Sequence, residues 1–440
     1  MAEVRGGRLY GPPPSHLLSL VHTSPIGLVP KGHQTNRWRM IVDLSFPAGN
    51  SINDGIPEGL SSVQYASVDD AVNIIQQLGR DTLLAKLDIK DAYRIVPVHP
   101  ADYHLLGISW EGSTYVDRAL PFGLRSAPKI FYALADFMAW VLHCYGVENQ
   151  LHYLDDFLFM SAPGAQSRVC VLDRVLQIFH TMGIPVAADK TDGPSTQLVF
   201  LGILIDTHTF KLRLPAEKLS HLQLLLQSWL GKRSCTRREL ESLLGFLSHA
   251  GTVITQGCPF LRDLFSLLSL DRASHHYIRP NQGARADLLW WKMFLQDWNG
   301  SSFFPVPTPS IEVISDASGT YGCGGFALAH GWFQLEWPEE WHAVHITVKE
   351  LVPVVIAAAV WGHRWRRNHI CFRSDSMAVV NLLRKRTSKH NLLMHLLRCL
   401  VFYAAFFRFQ FTALHVPGIL NTAADALSRN IISLSPSLHR

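Results

Sequence analysis

The feature that most constrains this chain is a pair of adjacent carboxylates, Asp155 and Asp156, inside the otherwise apolar run Leu151–Met160. Apolar residues on both sides call for burial, while neighbouring charges call for water. The compromise is a strand, a tight turn carrying the acids, and a second strand. Two carboxylates at such a tip repel each other, and a dication shared with a third acid removes that cost. Asp88, which ends the predicted strand Thr82–Leu87, is the candidate third acid. An Asp-Asp pair standing alone is more simply a polar turn, so the surroundings must decide.

The 440 residues are 48% hydrophobic and 17% charged, which rules out wholesale disorder. At roughly 100–200 residues per domain, two to four domains are expected. Mean hydropathy is +0.11, yet uninterrupted apolar runs such as Leu351–Trp361 and Cys399–Phe407 are short. A spanning helix needs about 20 apolar residues. A soluble protein without a membrane partner is therefore expected, and the N-terminal MAEVRGGRLYGPPPSH carries no secretory core. The seven cysteines are scattered, the closest pair 23 positions apart (258 − 235), with no CxxC. That disfavours a zinc ribbon and suits a reducing intracellular compartment, cytoplasm or nucleus.

Positive charge is local. Residues 361–400 hold nine Lys/Arg and one acid, Asp375, a net of +8 (9 − 1). A polyanion such as nucleic acid is the natural partner for such a cluster.

Texture along the chain predicts the following organisation. Residues 1–16 are a Gly/Pro-rich mobile lead-in. Ile26–Val29 and Trp38–Leu44 form a hairpin around a basic loop, Ala127–Leu142 is a helix, and Val199–Ile205 is a strand. These belong to a region 17–214. Residues 215–270 form a helical module, in which Thr236 and Glu239 make a capping box. Residues 271–308 connect onward and include Trp290, Trp291 and Trp298, whose spacing suits a helix packed in a core. Residues 309–430 are a separate α/β domain, with strands at Ile311–Ile314, Gly325–Ala329 and His369–Arg373 and helices at Val348–Trp361 and Ser376–Leu383. Residues 431–440 are a tail.

The order WRMIVDL, LDIKDAYRIVPV, LPFGLRSAPKIF, YLDDF, then a lysine followed by FLGI resembles the motif series of reverse transcriptases, over about residues 26–205. Within that family the wording HYLDDFL, LPFGLRSAPKIF, GPST…FLGI and WWKMFLQDWNG is most similar to the retrotransposon polymerases of DIRS type, which encode a tyrosine recombinase elsewhere. The resemblance implies a right-hand polymerase of fingers and palm (17–214) and thumb (215–270), α+β in class. It implies that Asp88 and Asp155, assisted by Asp156, hold two Mg²⁺ ions, with Mn²⁺ as an alternative. Arg39 and Lys31 on the hairpin would grip an incoming deoxynucleoside triphosphate. The backbone amides of Asp91 and Ala92 would lie against it. Tyr93 would act as a steric gate against the ribose 2′-hydroxyl. Phe122 and Gly123 would shape the pocket and admit the template backbone, and Lys190 would protonate the leaving pyrophosphate. Arg237 and Arg238 on the thumb would touch primer–template phosphates.

The C-terminal region carries SDASGTYG, TVKELVPV, RSDSMAVV and HVPGILNTAADALSR. The order Asp316, Glu350, Asp375, Asp425 resembles ribonuclease H domains, over about residues 309–430. It implies two Mg²⁺ ions for attack of water on a phosphodiester, with His415 aiding product departure. Each acid also has an ordinary reading: Glu350 in a capping box with Thr347, Asp375 as a helix N-cap, Asp425 as a solvated helix residue. Arg384, Lys385, Arg386 and Lys389 would hold an RNA/DNA hybrid. The function implied is an RNA-directed DNA polymerase with ribonuclease H activity, acting on an RNA template and a DNA primer. Two alternatives stand beside it: a non-catalytic nucleic-acid-binding relic, and a polymerase with a dead nuclease.

Overall fold

The computed structural model describes residues 2–12, 21–30, 38–163, 171–269, 277–297, 301–304, 311–328 and 330–431. Lys31 and Trp298 lie outside these residues, and of Arg39 only the backbone is described. The chain forms two compact units, Met1–Phe210 and Lys211–Arg440.

In the first unit the acid-bearing run folds as expected. Gln150–Tyr153 and Asp156–Ser161 pair antiparallel, with Tyr153 opposite Asp156, so Leu154 and Asp155 are the turn. Leu83–Asp88 pairs on the other side, with Asp88 opposite Asp156, and Asp192–Ser195 completes a four-stranded sheet. Phe157 and Phe159 on the inner strand are buried with Leu87, Phe131, Met138, Leu142, Val175 and Phe179. Leu87 comes from the strand Leu83–Asp88, and the last five from the helices Ala127–Cys144 and Val171–Thr181. Helix Val68–Leu78 starts at a capping box between Ser67 and Asp70. The Ile26–Pro30 and Trp38–Val42 strands pair antiparallel.

Two expectations change in this unit. Val199–Ile205 is a tight hairpin of Gln197–Phe200 and Ile203–Asp206, turning through Leu201 and Gly202 at φ 47° and 76°. Positive φ at both central residues is the turn type that matches strand twist, and Leu201 gave no sequence signal for it. Residues 2–12 are folded rather than mobile. Ala2–Arg5 is helical and Leu9–Tyr10 pairs with Ser113–Asp117. Ion pairs hold this segment: Glu3 to Arg8 at 2.8 Å and to Arg94 at 3.0 Å, and Arg94 to the buried Asp117 at 2.7 Å.

The second unit starts with helices Ala216–Gly231, Arg237–Gly251, Arg262–Leu268 and Gln282–Asp297. Thr236 caps the second reciprocally with Glu239. Trp291 is fully buried, and Trp290 stacks on Phe260 at 3.9 Å, so both serve the core. A five-stranded sheet follows, in the order Gly331–Glu336, Gly322–Ala327, Ile311–Ala317, His369–Ser374, Gln410–His415. Its first two pairings are antiparallel and its last two parallel.

Helix Ile346–Trp361 runs through Pro353 and buries Leu351, Val354, Ala357 and Ala358. The stretch Ile346–Arg364 is by length and composition apolar enough to cross a membrane, contrary to the short runs counted in the sequence; 56% of an 18-residue window within it is buried inside the protein. Helix Thr422–Ser428 crosses the Gly322–Ala327 strand at Gly324, where an added Cβ would sit 2.4 Å from Leu427 Cβ. Only glycine permits that approach.

Candidate active sites

The sheet brings Asp88, Asp155 and Asp156 to one end, close enough to act on one another's charge, although their oxygens are not gathered within 4.8 Å as those of the second unit's acids are. Cross-strand pairing places Asp88 opposite Asp156, and the Ile89 amide donates to the Asp155 carbonyl at 2.9 Å, which locks the turn beside the strand end. Leu154 takes φ +54° in that turn, a conformation costing a bulky residue about 1–3 kcal/mol. Burial pushes the Asp156 carboxyl up to about 6, and the charges of Asp155 and Asp88 add to it. Lys190 answers part of this repulsion: its Nζ donates to Asp88 Oδ2 at 2.6 Å. Burial of Lys190 opposes its charge, but Asp88, Asp155 and Asp156 outweigh that and raise its pKa. A cluster of three acids with one ammonium still favours a further cation, and oxygen donors of this kind fit a hard dication such as Mg²⁺.

The pocket residues lie beside these acids. Asp91 sits at φ 62° and Ala92 at φ 26°, where the chain turns from the Asp88 strand into a short 3-10 helix. The Asp91 side chain is held by Arg8 Nη1 at 2.9 Å. Tyr93 packs against Phe122 at 5.2 Å and Phe131 at 5.4 Å. Burial, then neighbouring Tyr65, Asp155 and Tyr153, push its hydroxyl up to about 12, so it stays protonated. Gly123 has φ +110°, and a Cβ there would lie 2.2 Å from Val42 O.

Asn53, which sequence reasoning missed, pins this loop. Its Nδ2 donates to Gly123 O and to Ser45 Oγ, both at 2.9 Å, and its Oδ1 accepts from Arg125 N at 2.7 Å. In SINDG an asparagine reads only as a turn residue, so no signal pointed to it. Arg8 was missed as well, because its segment looked mobile.

In the second unit, Asp316 near the end of its strand, Glu350 on its helix and Asp375 after the His369–Ser374 strand converge. One ligand atom from each lies within 4.8 Å of the others. The ordinary readings fail for two of these. Helix Ile346–Trp361 is capped by His345, so Glu350 is inside the helix, and Ser376 is the N-cap after Asp375. Burial, then Asp316 and Asp375, push Glu350 up to about 8. Glu350 Oε2 is buried without a hydrogen-bond partner. A dication between these carboxylates would satisfy that oxygen and relieve the repulsion, so the donor set fits Mg²⁺.

Asp425 is not among the converging atoms. Its Oδ1 accepts from Arg429 Nε at 2.7 Å, four residues on and just past the end of helix Thr422–Ser428. The implied four-acid set is therefore three acids plus a neighbour engaged elsewhere. His415 Nε2 lies 3.1 Å from the Asp375 carbonyl. Ser428 and Asn421, also missed, are buried against Asp316. Ser428 stands three positions after Asp425, on the same helix face, and that spacing is the signal that could have found it.

The basic candidates divide. Lys385 and Lys389 are exposed. Arg384 is exposed but gives Nε–H to Ala413 O at 3.0 Å. Arg386 lies over the Phe411 ring at 5.1 Å, partly buried, and desolvation lowers its pKa. It is a packing residue, a correction to its implied place on the polyanion surface. On the helical module Arg237 pairs with Glu241 at 2.9 Å, and Arg238 follows it at the helix start.

Residues 29–205 match the family described as reverse transcriptase (RNA-dependent DNA polymerase). The Pro-Pol polyprotein of simian foamy virus type 1 is 23% identical over 257 residues, 56% of this chain and 19% of the polyprotein. The transposon Tf2-3 polyprotein of Schizosaccharomyces pombe is 25% identical over 255 residues, 57% of this chain and 17% of the polyprotein. The match thus spans about a fifth of the length of these relatives. Among solved structures, the foamy viral protease-reverse transcriptase in complex with RNA/DNA hybrid aligns with TM-score 0.56 at 19% identity, over 94% of this chain and 52% of that one. The same protein in complex with dsDNA aligns with TM-score 0.56 at 18% identity, over 94% and 80%. The polymerase fold is shared at that level. Residues 29–205 are thus similar to the reverse transcriptase domain found in retroelement and retroviral polyproteins.

Proposed function

We propose that this chain is an RNA-directed DNA polymerase that also degrades the RNA of its hybrid product, and that it acts inside the cell. The observation that carries the reading is the meeting of Asp88, Asp155 and Asp156 at one sheet end, touched by Lys190, within the matched residues. At each of two acid clusters, Mg²⁺ would supply Lewis acidity and charge neutralisation for phosphoryl transfer.

The protein's own groups do the rest. Asp88 and Asp155, with Asp156, would hold the ions and so orient the primer 3′-hydroxyl. The Asp91 and Ala92 amides, with Arg39 and Lys31, receive the triphosphate. Tyr93, wedged against Phe122 and Phe131, fills the space a 2′-hydroxyl would need. Lys190, protonated through its contact with Asp88, stands as proton donor to pyrophosphate. In the second unit Asp316, Glu350 and Asp375 would hold the ions for hydrolysis, Asp425 would assist from the neighbouring helix, and His415 lies beside Asp375. Arg237 and Arg238, Lys385, Lys389 and Arg384 meet phosphates. Among retroelements we place the chain nearest the DIRS type, on the wording HYLDDFL, GPST…FLGI and WWKMFLQDWNG.

Primer extension on poly(rA)/oligo(dT) with Mg²⁺ tests the polymerase. Incorporation is expected from the wild type and none from Asp155→Asn, which keeps hybrid binding. Cleavage of the RNA strand, lost in Asp375→Asn, is expected in parallel. Folded wild-type protein that incorporates nothing would leave the relic reading in place.

A further inference from the structure

Asp316 is the most enclosed acid of the second cluster, and what encloses it is specific. Its carboxylate has no lysine or arginine within an ion-pair distance among the described residues. Ser428, with no exposed surface, donates Oγ–H to Asp316 Oδ2 at 2.5 Å. The same hydroxyl lies 3.0 Å from the Asp425 carbonyl, three residues back in its own helix. A hydroxyl has one proton. The nearer, charged acceptor takes it, because hydrogen bonds to ionised groups are shorter and roughly twice as strong. Asp316 Oδ1 keeps only a long contact, 3.5 Å, from Asn421 Nδ2.

We propose that Ser428 is a positioning residue for the second cluster: by holding Asp316 Oδ2, its hydroxyl fixes the orientation in which the Asp316 carboxylate converges with Glu350 and Asp375. The inference rests on the nuclease reading of that cluster. Three features of the fold make the contact hard to replace. Ser428 lies in the helix that crosses the sheet where Gly324 allows Leu427 to touch the strand. The helix cannot back away without losing that packing. Asn421, almost fully buried, ties the start of the same helix to the Ser315 carbonyl at 3.4 Å, so both ends refer to the Asp316 strand. Finally, Asp425 and Ser428 are one helical turn apart. The bond that orients Asp316 therefore also sets how far Asp425 stands from the cluster. Ligands aimed by a hydrogen-bonded outer layer lose about 10–100-fold in metal affinity when that layer is cut.

The test uses the full chain carrying Asp88→Asn and Asp155→Asn, so that the first site contributes no strong cation binding. Mn²⁺ affinity is measured by electron paramagnetic resonance titration, and the site is identified by its loss in Asp375→Asn. Ser428→Ala is expected to weaken Mn²⁺ about tenfold, and Ser428→Cys, close in size but a poor donor, to weaken it nearly as much. In the otherwise wild-type chain, the same substitutions should raise the Mg²⁺ concentration that half-activates RNA cleavage by a similar factor, while primer extension is unchanged and reports a folded chain. Should Ser428→Ala unfold, Ser428→Cys carries the comparison. Mn²⁺ affinity equal to the parent in a folded Cys variant overturns the proposal. A chain that binds Mn²⁺ in a Ser428-dependent way but cleaves no hybrid supports the positioning and refutes the nuclease reading; cleavage indifferent to Ser428 does the reverse.

Discussion

Glu350→Gln offers the sharpest physical test of the second cluster. Burial and the charges of Asp316 and Asp375 hold Glu350 up at about 8, against an ordinary 4.5. That interval corresponds to about 5 kcal/mol of unfavourable charge. Relaxation of the site reduces what survives to about 2–3 kcal/mol. The sign follows from proton linkage. Between pH 4.5 and 8 the folded protein holds a proton that the unfolded chain has released. Stability is therefore whole below the lower value and falls as pH rises toward the upper one. Glutamine keeps the shape and removes the charge. In EDTA at high pH, Glu350→Gln should be more stable than wild type by about 2–3 kcal/mol, or about 5–10 °C in Tm. The gap should close near the lower value. Saturating Mg²⁺ should raise the Tm of the wild type at high pH by more than it raises that of the variant, which keeps the first cluster but loses one ligand of the second. The assay is thermal unfolding of the full chain across pH with EDTA or Mg²⁺. A variant no more stable than wild type in EDTA at high pH would refute the view that the three carboxylates strain one another.

Other consequences are as direct. Gly123→Ala places a Cβ against Val42 O at an impossible 2.2 Å; a loss of about 2–3 kcal/mol is expected, with a raised KM for deoxynucleotides, and an unchanged Tm and KM would count against the loop's role. Tyr93→Ala should raise ribonucleotide incorporation, read from the ratio of kcat/KM for dNTP and rNTP; an unchanged ratio removes the gate. Lys385→Ala with Lys389→Ala should weaken hybrid binding and flatten its salt dependence by about two in the logarithmic slope. Arg386→Ala should lower Tm instead, since its guanidinium covers Phe411; a flattened salt slope for Arg386→Ala with unchanged Tm would return it to the binding surface.

What could be read from the sequence was what local chemistry dictates. The Asp155–Asp156 turn was legible because charge interrupts an apolar run, and Thr236 with Glu239 because a capping box is spelled within four residues. The Asp316, Glu350 and Asp375 cluster was legible through motif order, although its members are 34 and 25 residues apart (350 − 316 and 375 − 350). What stayed hidden depends on partners far along the chain. Leu9–Tyr10 becomes a strand only because Ser113–Asp117 waits for it, and Arg94 becomes structural only beside Glu3 and Asp117. The Leu201–Gly202 hairpin defeated propensity, since leucine at positive φ is tolerated only where the surrounding ladder imposes it. Arg386 looked like surface charge, and a ring from the Gln410–His415 strand claimed it.

One junction within the second unit has a practical side. Asp287, with no exposed surface on helix Gln282–Asp297, meets Arg398 of helix Asn391–Phe407 at 2.5 Å, and the same guanidinium reaches Asp263 at 3.1 Å. Burial lifts Asp287 to about 7 even so, with Arg398 pulling it down. Truncation upstream of the C-terminal layer would strip a hidden carboxylate of its counterion and cost the remaining helices about 3–5 kcal/mol. A shortened chain that ends before helix Asn391–Phe407 should therefore be more stable in acid than at neutral pH, and replacing Asp287 by a neutral residue should relieve that.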